Sequence, residues 1–342
     1  MNIQQAIAHA IQGHDLAQAE MQSVMQLIMT GECTDAQIGG LLIALRMKGE
    51  TVEEITAAAQ VMIKLAEHVE VSADHLVDIV GTGGDGTNTF NVSTAASFVA
   101  AGAGASVAKH GNRSVSSKSG SADLLEKIGA NLDLHADQVA TVIELAGVGF
   151  MFAPMHHSAM KHAIGPRKEM AVRTIFNVLG PLINPAGVKR QVVGVFAKDL
   201  TTTLAKVFAE LGSEHTMVVH SEDGMDEISI CAPTFVSEMR NGEVTNTVIK
   251  PEDFGLKVAQ LNEIVVADAT GSAAVIEKVL NGELGAARDI VLLNAGAGIY
   301  VSGVAESLAA GVEEAAKSID SGKALAAQQA YVAATQSAAS ES

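Results

Sequence analysis

Two short runs hold most of the residues in this chain that are suited to chemistry. The first, Gly81-Thr82-Gly83-Gly84-Asp85-Gly86-Thr87-Asn88-Thr89-Phe90-Asn91-Val92-Ser93-Thr94, lies between an apolar stretch and an Ala-rich one. At a strand-to-helix turn, glycine main chain and helix N-terminal N–H groups meet phosphate oxygens. The hydroxyls of Thr89, Ser93 and Thr94 and the amide of Asn91 add donors without bulk. No Lys follows the last glycine at the P-loop position and the spacing is not GxGxxG, so nucleotide-hydrolase and dinucleotide readings lose ground. By itself, such a turn is as readily structural as ligand-binding. The second run, from Lys109 to Ser121, packs three cations and five hydroxyls into thirteen residues. That density suits a polyanion. A solvated basic loop is the alternative, and the glycines and short hydroxyl side chains count against it.

Two further features could complete such a site. Asp226 and Glu227 are adjacent carboxylates in a Gly-containing segment. On a strand they would point to opposite faces, whereas a turn lets both reach one cation, and oxygen ligands suit Mg²⁺. A solvated turn explains the pair equally well. Arg167 follows Gly-Pro, and its planar guanidinium can pair with a carboxylate; a surface arginine is the plain alternative. His156 and His157 share no face of a helix or strand, which argues against a metal pair.

The rest of the composition limits the function. The chain has 342 residues, 48% of them apolar and 18% charged, which fits a globular protein of about two domains. Aromatics are 3% with no Trp, so aliphatic side chains and Met must fill the core. The formal charge of -17 disfavours nucleic acid, and it means that an anion site must gather its few cations locally. Cys33 and Cys231 have neither disulfide-framework nor zinc spacing. The longest apolar run, 95–108, is shorter than the ~18 residues of a membrane span, and a cytoplasmic protein is expected.

Apolar residues at helical spacing, such as Met21, Val24, Met25 and Ile28, predict four helices from Ile3 to about His68. Thr34 with Gln37, and Thr51 with Glu54, have capping-box spacing, and Gly49 suits a helix end. After Ser72, strand candidates at 76–80, 106–110, 150–154, 191–196, 216–220 and 234–239 alternate with helical stretches. The fold class expected is α/β: a small N-terminal helical domain (1–72) and a larger α/β domain (73–342) with a mainly parallel central sheet. Part of 164–190 is expected to pack back on the N-terminal helices. The region after Ala267 reads as helical, with a fraying tail from Ala334.

The two runs together resemble the GTGGD and KHGNR motifs of the anthranilate phosphoribosyltransferase family. The resemblance continues through Ala153-Pro154, Gly165-Pro166-Arg167, residues 173–185 and Gly224-Met225-Asp226-Glu227, covering roughly 1–335. It implies a nucleoside phosphorylase/phosphoribosyltransferase-like fold. It also implies transfer of the phosphoribosyl group of phosphoribosyl diphosphate (PRPP) to the amine of anthranilate, in tryptophan biosynthesis. The donor would be held by Gly81, Gly84, Asp85, Thr89, Asn91, Val92, Ser93, Thr94, Lys109, His110, Gly111, Asn112, Arg113, Ser114, Val115, Ser116, Ser117 and Ser121. Gly81, His110, Asn112, Met160 and Arg167 would meet anthranilate. Two Mg²⁺ ions are implied, with Asp226 and Glu227 on one side and Ser93 contributing to the other, as is a homodimer formed through the helical domain. Lys109 would stabilise departing diphosphate; the neutral aromatic amine is itself nucleophilic, so no general base is assigned. A pyrimidine-nucleoside phosphorylase of the same fold is less favoured, because its K-x-S-G-R motif differs from Lys109-His110-Gly111-Asn112-Arg113. A non-catalytic binding protein is disfavoured by the Asp226-Glu227 pair and the acidic charge.

Overall fold

The computed structural model describes residues 1–113 and 119–340. The chain opens with helices α1 (Ile3–Ile11), α2 (Gln18–Met29), α3 (Asp35–Lys48) and α4 (Val52–Leu65). Their starts are set by local chemistry. The Thr34 hydroxyl accepts from Gln37 N while the Gln37 side chain accepts from Thr34 N, at 3.3 and 2.9 Å, and Gly49 ends α3 at φ +88. Thr51 and Glu54 form the same reciprocal cap at 3.2 and 2.9 Å. Glu54 is more than a cap, however. It is 0% exposed, accepts from Leu16 N at 2.9 Å and pairs with the Lys48 ammonium at 2.9 Å.

The second region is a sheet flanked by helices. Its first half runs β1 (Leu76–Gly81), α5 (Val92–Gly102), β2 (Ser106–Gly111), α6 (Ser121–Lys127), α7 (Ala136–Ala146) and β3 (Val148–Phe152). A connecting stretch follows, with α8 (Ala153–His156), α9 (Lys161–Met170) and α10 (Phe176–Leu179). Then come β4 (Arg190–Gly194), α11 (Asp199–Glu210), β5 (His215–Ser221), β6 (Thr234–Arg240) and β7 (Glu243–Ile249). Helices α12 (Ala269–Leu280), α13 (Ala286–Ser302), α14 (Leu308–Asp320) and α15 (Lys323–Ser340) complete the chain.

The seven strands lie in the order β3-β2-β1-β4-β5-β6-β7. Pairings from β3 to β5 are parallel, and β6 and β7 add antiparallel edges. Alternation along β4 gives its two faces to different cores. Val192 joins the cluster built on α5, α7, α13 and α15, whereas Val193 joins the one containing α1–α4. The bundle therefore has no closed core of its own; it shares apolar contact with α11 and one face of the sheet. Residues of the connecting stretch, Ala163, Ile175, Phe176 and Leu182, belong to that same shared cluster, and α9 packs on α2 and α3.

Several boundaries differ from the sequence reading. The candidate at 150–154 is shifted: β3 starts at Val148, and Ala153-Pro154 open α8, where Pro fits the first helical turn. The candidate at 191–196 becomes β4, which begins at Arg190 and ends at Gly194. β7 escaped prediction because it is a largely exposed edge strand without an apolar face. Its signal was the turn instead: Asn241 and Gly242 both have positive φ, +53 and +85, as a two-residue hairpin requires. The tail is docked as far as Ser340, since buried Thr335 accepts from Asn131 N at 3.2 Å and the Gln336 amide donates to the Gly129 carbonyl at 2.7 Å. None of the described helices is long and apolar enough to cross a membrane.

Removing one partner of a buried, hydrogen-bonded ion pair is expensive; here it would leave Leu16 N without its acceptor and Lys48 with only the exposed carboxylate of Asp15 as an ion partner, at 2.6 Å. Glu54→Ala should therefore lower the unfolding free energy by ~3 kcal/mol, measured by urea denaturation. A loss below ~1 kcal/mol would place the pair among weakly contributing surface bridges.

Candidate active site

Strand order reverses between β1 and β4, where β2 and β3 extend to one side and β5 to the other. Ligands of open α/β sheets bind outside the carboxyl ends of the strands at such a point. The first chemical run leaves β1 there, and the second leaves β2 beside it.

What shapes this place is a close crossing of backbones. A Cβ on Gly194, at the end of β4, would lie 1.5 Å from the Asp226 carbonyl oxygen, and one on Gly81 would lie 2.4 Å from Asp226 Oδ2. Only glycine at both strand ends lets the Asp226 segment cross. Gly83 and Gly84 then turn at φ +69 and +75, and Gly83 N donates to Asp226 Oδ2 at 2.6 Å. Thr82 N donates to the Gly194 carbonyl at 2.9 Å, and the Thr82 hydroxyl accepts from Phe196 N at 3.2 Å.

Glu227 reaches the other side of the loop, accepting from Ser93 N at the start of α5 at 3.2 Å. The adjacent carboxylates therefore both face the glycine-rich run, as a turn allows. Lys109, only 4% exposed, donates to the Ile79 carbonyl and, at 3.3 Å, to Ser93 Oγ. Burial pushes the Asp226 carboxyl up to about 7, helped by the Asp85 charge. Glu227 is pushed up to about 8 by burial and by Asp226, against the pull of Lys109. Burial likewise drives the Lys109 ammonium down from its usual range, opposed by Asp78, Glu227 and Asp226. Acid groups this strained by one another call for a cation, and their hard oxygens suit Mg²⁺ better than a softer metal. Among the described residues no group of three or more His, Cys, Asp or Glu side chains makes a cage. Mg²⁺ is ordinarily held by one or two carboxylates plus phosphate oxygens and water.

Other predicted residues fall into distinct positions. Asp85 accepts from Thr87 N and Oγ1 at 3.2 and 2.6 Å. Thr89 pairs through its backbone with Val265. The Asn91 side chain joins the two runs: its Oδ1 accepts from the Ser119 and Ser272 hydroxyls at 2.9 and 2.7 Å, and its Nδ2 donates to the Ser119 carbonyl at 3.1 Å. Val92 and Thr94 have buried side chains, which leaves only their main chain to a ligand. Gly111 clears space for Phe150 and Ser121, each of which would lie 2.6 Å from a Cβ at that position. The Ser121 hydroxyl donates to the Asn112 carbonyl at 3.3 Å, while exposed Asn112 accepts from Arg113 N at 2.7 Å. Ser114, Val115, Ser116 and Ser117 lie outside the described residues.

Arg113, expected to hold the donor, has carboxylate partners in this structure. Its guanidinium is forked onto Glu126 at 2.6 and 2.5 Å and reaches Asp123 at 3.2 Å, so its charge is engaged by α6. On the acceptor side, half-buried Met160 precedes α9, and half-buried Arg167 stacks over Phe176 at 5.2 Å. Burial lowers its pKa. His110 donates through Nδ1 to the Gly180 carbonyl at 3.1 Å and packs 5.1 Å from the His157 ring. Burial pushes the two imidazoles down to about 3 and about 4, so both are neutral.

The sequence reading passed over Asp78 and Asn184. Asp78 is fully buried within β1 and accepts from Asn184 Nδ2 at 2.7 Å and His110 N at 3.3 Å; Asn184 Nδ2 also donates to the Ala108 carbonyl at 2.9 Å. Together they lock the base of the second run. The available signal was a charged residue inside an otherwise apolar strand.

Residues 73–325 match the glycosyl transferase family a/b domain, and residues 4–66 its helical bundle domain. A Thioalkalivibrio sulfidiphilus protein named anthranilate phosphoribosyltransferase is 61% identical over 98% of this chain and 100% of its own length. The crystal structure of anthranilate phosphoribosyltransferase from Thermus thermophilus is 42% identical, with a TM-score of 0.92 over 97% of this chain and 99% of that one. The Saccharomyces cerevisiae protein of that name, in complex with PRPP and Mg, is 29% identical with a TM-score of 0.87 over 94% of each chain.

The raised carboxyls predict a pH dependence. In the unfolded chain Asp226 and Glu227 titrate near their ordinary values of 3.8 and 4.5, so the folded protein holds these protons more tightly. Their stabilising contribution is complete below about pH 4 and is lost as pH rises through about 7 to 8. In metal-free buffer, unfolding free energy should decline across that window, and Asp226→Asn/Glu227→Gln should flatten the decline. Parallel pH profiles for the two proteins would remove these carboxyls as its source.

Proposed function

The chain belongs to the anthranilate phosphoribosyltransferase family, and from that premise we propose that it transfers the phosphoribosyl group of PRPP to the amine of anthranilate, giving N-(5-phosphoribosyl)anthranilate and diphosphate. The observation that carries this reading is the reach of both Asp226 and Glu227 to main-chain N–H groups of the Gly81–Thr94 run. A carboxylate pair suited to a metal and a loop suited to phosphate thus share one place. The reaction breaks the bond between ribose C1 and diphosphate and forms one between C1 and the amine nitrogen, which then releases its proton.

The leaving diphosphate gains negative charge, and preorganised positive groups lower the barrier for that change. Main-chain N–H groups of the glycine-rich run and of the α5 start cradle the phosphates. Asp226 and Glu227 would hold Mg²⁺, with the Ser93 hydroxyl contributing to a second ion. When bound, Mg²⁺ supplies charge to the leaving group. Lys109, beneath Ser93, adds its field from below the loop and limits repulsion between the two carboxylates. Arg167 pairs with the acceptor carboxylate, with Met160 and neutral His110 lining the pocket and Asn112 at its mouth. The acceptor amine is nucleophilic when neutral, so orientation behind C1 provides much of the rate without a general base. Magnesium also accords with the yeast relative's complex.

The same reading includes a homodimer through the helical domain, in the cytoplasm. It is supported by Ile43 and Met47, one helical turn apart on α3 and 37% and 84% exposed.

Loss of anthranilate fluorescence with PRPP and Mg²⁺ tests the reaction. Phosphorolysis of thymidine or uridine, with anthranilate untouched, would overturn it. Arg167→Ala should raise the KM for anthranilate about 10- to 100-fold, the range for a lost charge-assisted hydrogen bond. The KM for PRPP should stay within about threefold.

A further inference from the structure

One cation at the site neither holds metal nor meets the acceptor. Arg173 lies six residues after Arg167, beyond Ala171, whose φ of +51 ends α9. Its Nη2 donates to the Gly84 carbonyl, and its guanidinium carbon sits 4.2 Å from the centre of the Phe196 ring. Phe196 N in turn donates to Thr82 Oγ1 at 3.2 Å. Arg173 thus grips the Gly81–Gly86 loop twice, once directly and once through the residue that holds Thr82. Among the described residues no carboxylate pairs with it, although the chain is strongly acidic. Nor is it wedged in place by packing. It is exposed and forms part of the wall of a cavity of about 110 Å³, with Arg46, Glu50, Thr174 and Asp199.

We propose that Arg173 is a positioning residue that couples the donor loop to the acceptor-bearing segment. A peptide unit's carbonyl and N–H point in opposite directions, so fixing the Gly84 carbonyl on Arg173 also fixes the direction of Asp85 N–H. Gly83 and Gly84 both sit at positive φ, where glycine has little intrinsic preference, and an unpinned peptide there can turn its carbonyl toward the phosphates. The other end of the link leads directly into the acceptor-bearing arm. Thr174 and Ile175 are buried, and Thr174 N donates to Asn177 Oδ1 at 2.9 Å. The same short stretch carries Phe176, on which Arg167 stacks. A donor that orders the loop therefore orders the arm that presents Arg167, and the acceptor acts back on the donor by the same factor.

This inference rests on the proposed reaction, and calorimetric titration separates the two. The probes are Mg²⁺-PRPP and benzoate, which has the acceptor's carboxylate but no amine to react. The wild-type protein should bind benzoate at least about tenfold more tightly when PRPP is bound, within the usual range of coupling. In Arg173→Ala that ratio should fall below about twofold, with benzoate affinity in the absence of donor nearly unchanged. Arg173→Lys should be intermediate, since lysine restores one hydrogen bond without the stacking fork. An unchanged ratio in Arg173→Ala, or no coupling in the wild type, would overturn the proposal. A collapse of PRPP affinity with the ratio intact would also overturn it, making Arg173 a direct donor ligand. Wild-type protein that neither binds PRPP nor consumes anthranilate would instead sink the underlying reaction.

Discussion

The passage of the Asp226 backbone across the ends of β1 and β4 is the constraint on which the site depends. It requires two glycines, Gly81 and Gly194, at strand ends that would otherwise carry side chains into the Asp226 main chain and carboxylate. Once the segment is there, Asp226 is buried against Gly83 N and Glu227 is carried to Ser93 N. Burial and mutual repulsion raise both carboxyls. A cation would relieve that cost, and the glycine-rich loop lies within one hydrogen bond of both carboxylates. On the proposed reading, metal affinity and phosphate affinity are both consequences of one backbone crossing.

An acidic protein that binds an anionic donor must solve an electrostatic problem, and the distribution of its cations shows how. Arg113 is paired with α6 and Lys109 is buried beneath the loop. The two imidazoles beside the acceptor region are neutral. Oriented main-chain N–H groups of the loop and any bound metal would therefore add positive potential that a count of Lys and Arg does not include. A formal charge of -17 is compatible with phosphate chemistry because the relevant field is local.

Much of this was legible in the sequence where local rules suffice. The caps at Thr34 and Thr51 are short-range hydrogen bonds between residues three apart, and the buried strands announce themselves by apolar runs. The glycine-rich loop was readable because its steric requirement is stamped on residue type. What could not be read was non-local. Nothing near Arg113 in the sequence says that its charge goes to Glu126 rather than to a ligand, because both ions lie within reach of the same loop. Glu54 looks like a cap until Leu16 and Lys48 are brought to it. β7 has no apolar face to find, and only its Asn-Gly turn betrays it.

The acceptor side depends on the core more than on any motif. Arg167 sits on α9, which packs on α2 and α3, and the stretch behind it contributes Ile175, Phe176 and Leu182 to a cluster that also contains Val193 and Phe208. Helical bundle, connecting stretch and sheet are therefore registered to each other through one apolar body. An arginine half-buried on that body, with its charge desolvated and its plane on Phe176, keeps an unspent capacity for an anion. A planar carboxylate is the ligand that a guanidinium fork satisfies with two parallel hydrogen bonds. On the proposed reading, packing far from the reacting atoms in this way sets where the acceptor's acid group would lie, and with it the direction from which the amine would approach the ribose.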